Sequence, residues 1–232
     1  MEAHRHTTHA RAARDESILD AVSDGLRRYG PRKLTARDVA NAAGISRMTL
    51  YRAMGSMDNA ILLALTREFS RAVAGLRDQL PQGPGHDGAA RLAAFLGAAA
   101  RAFVESELIA AVLAQQPDLI EPYLSGRLGR SQELVLGAME ELLAEGRGDG
   151  SVADPAPAPL TLLLLVRGVA LGAPLLPGAE FERSCTELTR VAEAALRAAT
   201  GAARAADRRA DQLTPSTSPT SPTSPTSPVT IA

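Results

Sequence analysis

Apolar residues recur along most of this chain at intervals of three and four, the spacing that gives a helix one buried stripe. No window shows the strict polar–apolar alternation of a half-buried strand. Ile18, Leu19, Val22 and Leu26 mark a first helix from about Asp15 to Tyr29, stopped by Gly30-Pro31. Another long helix begins near Ser56 and runs through Ile61, Leu62, Leu65, Phe69, Val73 and Leu76 to about Leu80. The Pro- and Gly-rich segment 81–88 is a loop. Helices are then expected over Ala89 to Phe103, Glu105 to Ala114, and Pro117 to about Glu145, the last weakened by Gly126, Gly129 and Gly137. After a loop at 146–159, two more follow, at Leu160 to Leu175 and Phe181 to Thr200.

Between the first and fourth helices lies the most informative stretch, Leu34 to Met54. Thr35 is suited to cap a short helix, with Asp38 placed to reach back to it, and Val39, Ala40 and Ala43 form its apolar stripe. Gly44 stands where the chain must take a left-handed turn. Ser46 caps a second short helix whose inner side is Leu50 and Met54, with Ile45 just before it. Two short helices joined through a glycine make a helix-turn-helix over about 35–54. The outward face of the second helix carries Arg47, Met48, Thr49, Tyr51 and Arg52, with no acid at its start. In a major groove, Arg47, Met48 and Thr49 would meet base edges and Tyr51 and Arg52 phosphates. Lys33, in the loop where backbone phosphates would pass, and Thr35 complete the candidate DNA-binding set. The same face also fits an ordinary solvated helix surface, and its surroundings are what decide.

Those surroundings carry a resemblance. Leu34-Thr35, Val39-Ala40, Ala43-Gly44-Ile45-Ser46, Thr49-Leu50-Tyr51 and Gly55-Ser56 resemble the N-terminal domain of the tetracycline-repressor (TetR) family of bacterial regulators, over about the first 75 residues. Met54 stands where that family usually has an aromatic, and Met57 where it commonly has a lysine. The first change keeps a core slot filled; the second removes a cation from the DNA backbone and lowers nonspecific affinity. The resemblance implies an all-α protein with an N-terminal three-helix DNA-binding domain (15–57) and a helical effector-binding and dimerisation domain (58–205). A flexible basic arm (1–14) would precede them and a disordered Ser/Pro/Thr-rich tail (206–232) would follow.

Charge fits this division. The net charge is −1, yet residues 1–57 hold ten Lys/Arg against six Asp/Glu, and the remainder fifteen against twenty. The cationic end therefore coincides with the helix-turn-helix. Aromatics are only 3% and Trp is absent, which favours helix over sheet. A single cysteine, Cys185, excludes an internal disulfide, suits the cytoplasm and reads as a small buried hydrophobe. His4, His6 and His9 lie in the arm without carboxylate or thiol partners, so no metal site is assigned. The apolar run from Leu160 is too short to span a membrane, being interrupted at Arg167. The tail at 214–228 repeats Ser-Pro-Thr and cannot build a core.

No hydrolase, metalloprotease, nucleotide-binding or paired-cysteine motif is present, so no catalytic residue and no cofactor is assigned. An apolar pocket among the helices after the third would take a small apolar effector, with Phe95, Phe103, Leu113, Tyr123, Met139 and Arg167 as candidate lining residues. A helix apolar all round, such as 160–175, must be covered on all sides. The resemblance supplies the cover, a second copy joined through 160–200, with Gly168, Ala170, Gly172 and Ala173 allowing close approach. The expected function is a cytoplasmic, homodimeric repressor bound to a palindromic duplex operator and released by an effector. The alternatives are a constitutive DNA-binding protein without effector sensing, and an enzyme or carrier using the helical pocket.

Overall fold

The computed structural model describes the backbone over residues 2–213 and the side chains over 11–123 and 126–198. Among the described residues every regular element is helical, so the all-α expectation holds. The helices are α1 (Glu2–Tyr29), α2 (Ala36–Ala42), α3 (Arg47–Met54), α4 (Met57–Asp78), α5 (Gly88–Glu105), α6 (Glu107–Gln115), α7 (Glu121–Ser125), α8 (Arg130–Gly148), α9 (Pro159–Gly172) and α10 (Gly178–Leu213).

Two cores organise them. In the first, Ile18, Val22 and Leu26 of α1 meet Val39 and Ala40 of α2, Leu50 and Met54 of α3, and Ala60, Ile61, Ala64 and Leu65 of α4. Leu108, Ile109 and Val112 of α6 join this same cluster. The expected boundary at 57/58 is therefore corrected: the N-terminal core takes in the first half of α4 and reaches forward to α6. Chain order hides this, because α6 returns to the N-terminal core after α5 has left it. α4, 22 residues and so about 33 Å long, also reaches the second core through Val73 and Leu76.

The second core is centred on α5. Leu92, Phe95 and Leu96 pack against Met139, Leu142 and Leu143 of α8, Leu162 and Val166 of α9, and Cys185, Leu188 and Leu196 of α10. Burial pushes the Cys185 thiol up, which keeps it protonated among hydrophobic neighbours. At the start of α5 a Cβ on Gly88 would collide with the backbone of Gly146, so only glycines permit this crossing with α8. Two N–H groups of α5's first turn are met from about sixty residues away, and a third locally. Gly88 donates to Asp149 Oδ2 (2.7 Å), Ala89 to Ser151 Oγ (2.9 Å), and Ala90 to the N-cap carboxylate of Asp87 (3.1 Å). Asp87 in turn accepts two bonds from Arg197 of α10, at 2.6 and 2.9 Å.

Other expected bounds are corrected too. The arm assigned to 1–14 is helical from Glu2, continuous with α1, because no Gly or Pro occurs between Glu2 and Gly25 and alanine and arginine favour helix. The side chains of His4, His6 and His9 lie outside the described residues. The stretch from 117 to 145 is not one helix but a 3-10 turn (Pro117–Leu119), α7 and α8, with Gly129 extended as the N-cap of α8. The boundary at 205/206 falls inside α10, which continues to Leu213 because Pro215 is the first residue beyond 200 that forbids helix. The Ser-Pro-Thr repeat at 214–228 lies outside the described residues.

Candidate nucleic-acid interface and helical cavity

The geometry of the helix-turn-helix is fixed by local hydrogen bonds. Thr35 caps α2: its Oγ1 accepts from the Asp38 N–H at 3.3 Å, while its own N–H donates to Asp38 Oδ2 at 3.1 Å. The Thr35 hydroxyl also donates to that carboxylate, holding the Asp38 carboxyl below its usual range. At the end of α2, Ile45 N–H donates to the Ala40 carbonyl (2.9 Å) and Gly44 N–H to that of Asn41 (3.2 Å), with Gly44 at φ +65°. This is a Schellman turn, and its left-handed residue favours glycine. Ser46 Oγ accepts from the Thr49 N–H at 3.1 Å, which starts α3.

With Leu50 and Met54 buried, α3 turns Arg47, Met48, Tyr51 and Arg52 to solvent, Met48 being 62% and Tyr51 44% exposed. No acid lies in its first turn. Thr49 is half-buried, and its hydroxyl is 2.9 Å from Ser46 Oγ. Lys33 is exposed in the loop before α2, whereas the Thr35 side chain is taken up by its cap. Sequence reasoning missed Arg37 and Asn41. With Ser46 and Arg47 they line a shallow polar cleft between α2 and the start of α3. The signal was available, because a residue pair at i, i+4 opposite Val39 and Ala40 has to face outward.

Behind this face, a cavity of about 300 Å³ lies between α4, α5, α6, α8 and α9. Phe103, Tyr123 and Arg167 line it, together with Leu62, Thr66 and Phe69 of α4. Phe95 and Met139 do not: both are fully buried in the second core. Phe95 and Phe103, eight residues apart, stand about 80° apart around α5, and the helix is rotated so that Phe103 lines the cavity and Phe95 enters the core. Leu113 packs against the N-terminal core and does not reach the cavity. Tyr123 is held from two sides. Its hydroxyl accepts from Arg127 (3.1 Å), whose guanidinium lies 4.6 Å from the ring centroid, and its carbonyl accepts from Gln132 Nε2 (2.6 Å).

α4, which lines the cavity, is bonded to both α3 and α1. Asn59, in the first turn of α4, lines the cavity and donates its side-chain amide to the Met54 carbonyl, the last residue of α3. Further along α4, Arg67 donates to Glu16 (3.0 Å) and Ser23 (3.2 Å) of α1 and lies 2.9 Å from Asp20. α4, α1 and α3 are therefore fastened into one unit. Gln116, just after α6, donates to Asp58 across 3.3 Å and ties the end of α6 to the same turn of α4.

A helix-turn-helix head sharing one long helix with an all-helical domain that encloses a cavity is the fold of the TetR-family regulators. Among solved structures, the transcriptional repressor QsdR from R. erythropolis, of the TetR family, is similar with a TM-score of 0.58 and 22% identity, covering 79% of this chain and 95% of that one. AlkX from Dietzia sp., a TetR-family repressor implicated in biodegradation of n-alkanes, gives a TM-score of 0.58 and 22% identity over 80% and 96% of the two chains. RolR in complex with resorcinol gives 0.58 at 12% identity, over 79% and 89%. At these identities the likeness is one of fold. No family model matches the chain, and no curated protein matches it by sequence. Among the described residues no helix is long and apolar enough to cross a membrane, and no cluster of His, Cys, Asp and Glu is arranged to hold a metal ion.

Proposed function

We propose that this chain is a cytoplasmic, homodimeric transcriptional repressor of the TetR type. It binds a palindromic operator through α3 and is released by a small apolar effector held in the helical cavity. The observation that carries this reading is the outward face of α3: Arg47, Met48, Tyr51 and Arg52 are all exposed on a helix that begins without an acid. Arg47 and Met48, at the N-terminal end, are the base-reading side chains, with Thr49 between them and the core. Tyr51, Arg52 and Lys33, joined by Arg37 and Asn41, position the phosphates.

Support for the dimer comes from α9. Leu160, Leu164, Gly168 and Leu171 form one solvent-facing stripe that continues to Leu175, 85% exposed. A run of exposed leucines of this length marks an interaction surface. Gly168 and Gly172 have open space beside them, which allows a second copy to approach; Ala170 does not contribute, because it is buried inward. Two copies related by a twofold axis would present two α3 helices about 34–36 Å apart, to successive major grooves.

Release follows from the shared helix. An effector pressing on Leu62, Thr66 and Phe69 displaces α4, and α4 carries α1 and α3 with it through Arg67 and Asn59. A changed spacing between the two heads then lowers operator affinity, by a coupling typically of about 1–3 kcal/mol. Footprinting on DNA upstream of its own coding region tests the reading. A symmetric protected site is expected, and protection indifferent to sequence overturns it.

A further inference from the structure

Among the described residues of the N-terminal core's helices α1 to α4, Met48 is the most exposed large apolar side chain. A single exposed methionine needs no explanation by itself, but this one stands in the first turn of α3, on a face otherwise cationic and polar. Arg47 and Arg52 flank it along the helix, both exposed, and no acid lies in that turn. Thr49 is half-buried with its hydroxyl engaged by Ser46 at 2.9 Å, and Leu50 is buried. Arg47 and Met48 are therefore the first-turn side chains that reach outward.

We propose that Met48 reads the 5-methyl group of a thymine in each operator half-site. The inference rests on the reading of α3 as the helix that enters the major groove. In that groove the base edges present hydrogen-bond acceptors, donors and one apolar group, the thymine methyl. A thioether is at best a weak acceptor and donates nothing, so among these features only the methyl rewards its presence. The unbranched, polarisable chain of Met48 can also adjust to where the methyl stands. Opposite a polar base edge the same side chain would displace water without replacing its hydrogen bond, which penalises the wrong pair. Arg47 offers the opposite chemistry, a fork of donors suited to the two acceptors of guanine. Two successive residues thus divide the half-site into one polar and one apolar contact.

Selection of duplexes from a randomised library by the full chain supplies an operator for the test. Each thymine in it is then replaced singly by uracil, which keeps the pairing and the O4 acceptor and removes only the methyl. One position in each half-site should lose about fourfold in affinity, the worth of one apolar carbon withdrawn from water. Met48→Ala should bind the thymine operator more weakly, by about fourfold per half-site, and uracil at that position should then cost nothing further. Met48→Leu should keep most of the uracil effect, and Tyr51→Ala should keep all of it while weakening every sequence alike. Alanine and leucine favour helix and position 48 is exposed, so both Met48 variants should keep the thermal midpoint. Uracil tolerated at every position, a half-site without a T·A pair, or a uracil effect that survives in Met48→Ala overturns the proposal. A library in which no sequence is enriched would sink the operator reading itself, whereas an enriched operator indifferent to the methyl sinks this inference alone.

Discussion

Asn59 donates its side-chain amide to the Met54 carbonyl across 2.7 Å, so the first turn of α4 closes the open end of α3. Carbonyls in the last turn of a helix have no partner within it, and this one is satisfied by a residue that also lines the cavity. The bond is a mechanical link between the place where an effector would sit and the helix that would read DNA. Asn59→Ala should leave the fold intact but free the end of α3. Losing one partly buried hydrogen bond is worth about 1 kcal/mol, so operator affinity should fall roughly fivefold, measured by fluorescence anisotropy at fixed salt. The ligand-induced drop in affinity should shrink as well. Unchanged operator affinity would show that the bond does not position α3.

The outward face of α3 makes a sharper prediction, because its residues should fall into two kinds. Arg47→Ala removes a side chain placed at base edges, and should cost about 1–3 kcal/mol at particular base pairs while relaxing preference there. Tyr51→Ala should weaken binding evenly across sequences, as loss of a phosphate contact does. A selection experiment on randomised operators reads the two apart. Identical effects of both changes on every sequence would overturn the division of roles.

How much of this could be read along the chain follows from the reach of each interaction. Thr35 with Asp38, Ser46 with Thr49, and the turn at Gly44 are bonds between residues at most five apart, and the sequence carries all of them. The cap on α5 was invisible for the opposite reason: Asp149 and Ser151 serve Gly88 and Ala89 from about sixty residues away. α6 reads as a member of the second domain by its place in the chain, yet Leu108, Ile109 and Val112 pack into the first. Around the cavity, composition identified apolar helices but not their rotation. Phe103 and Phe95 were equivalent candidates until the face of α5 turned toward α4 and α9 was known.

The leucine stripe of α9 provides a third test. Leu162, Leu163 and Val166 face the core, while Leu164 and Leu171 face solvent in the single chain. Leu164→Glu places a charge on the exposed side, where an isolated subunit tolerates it at little cost but a paired one does not. Light scattering should show a shift from dimer toward monomer with the thermal midpoint of the subunit preserved. Operator affinity should fall more than about tenfold, because each half-site must then be bound separately. A variant that remains dimeric would place the interface elsewhere.

Acid should loosen the second core through the start of α5. The Arg197 guanidinium holds the Asp87 carboxyl below the usual carboxylate range, against the opposing effect of burial. Asp149 is held low as well, first by the Ser151 side chain and then by the N–H groups of Gly88 and Ser151. Both groups have folded values below their unfolded ones, so each stabilises the fold fully above the unfolded value of about 4. That contribution is lost as pH falls through the depressed folded values. Asp87→Asn keeps the shape and an acceptor for the Ala90 N–H but removes the charge that meets Arg197. At pH 7 it should be less stable by roughly 1 kcal/mol, a modest figure because the pair is partly exposed. As pH falls from about 4 through the depressed folded value, the melting curves of variant and native protein should converge, as the native carboxylate becomes protonated too. A gap in thermal midpoint that is as wide at pH 3 as at pH 7 would mean that the charge on Asp87 contributes nothing to the fold.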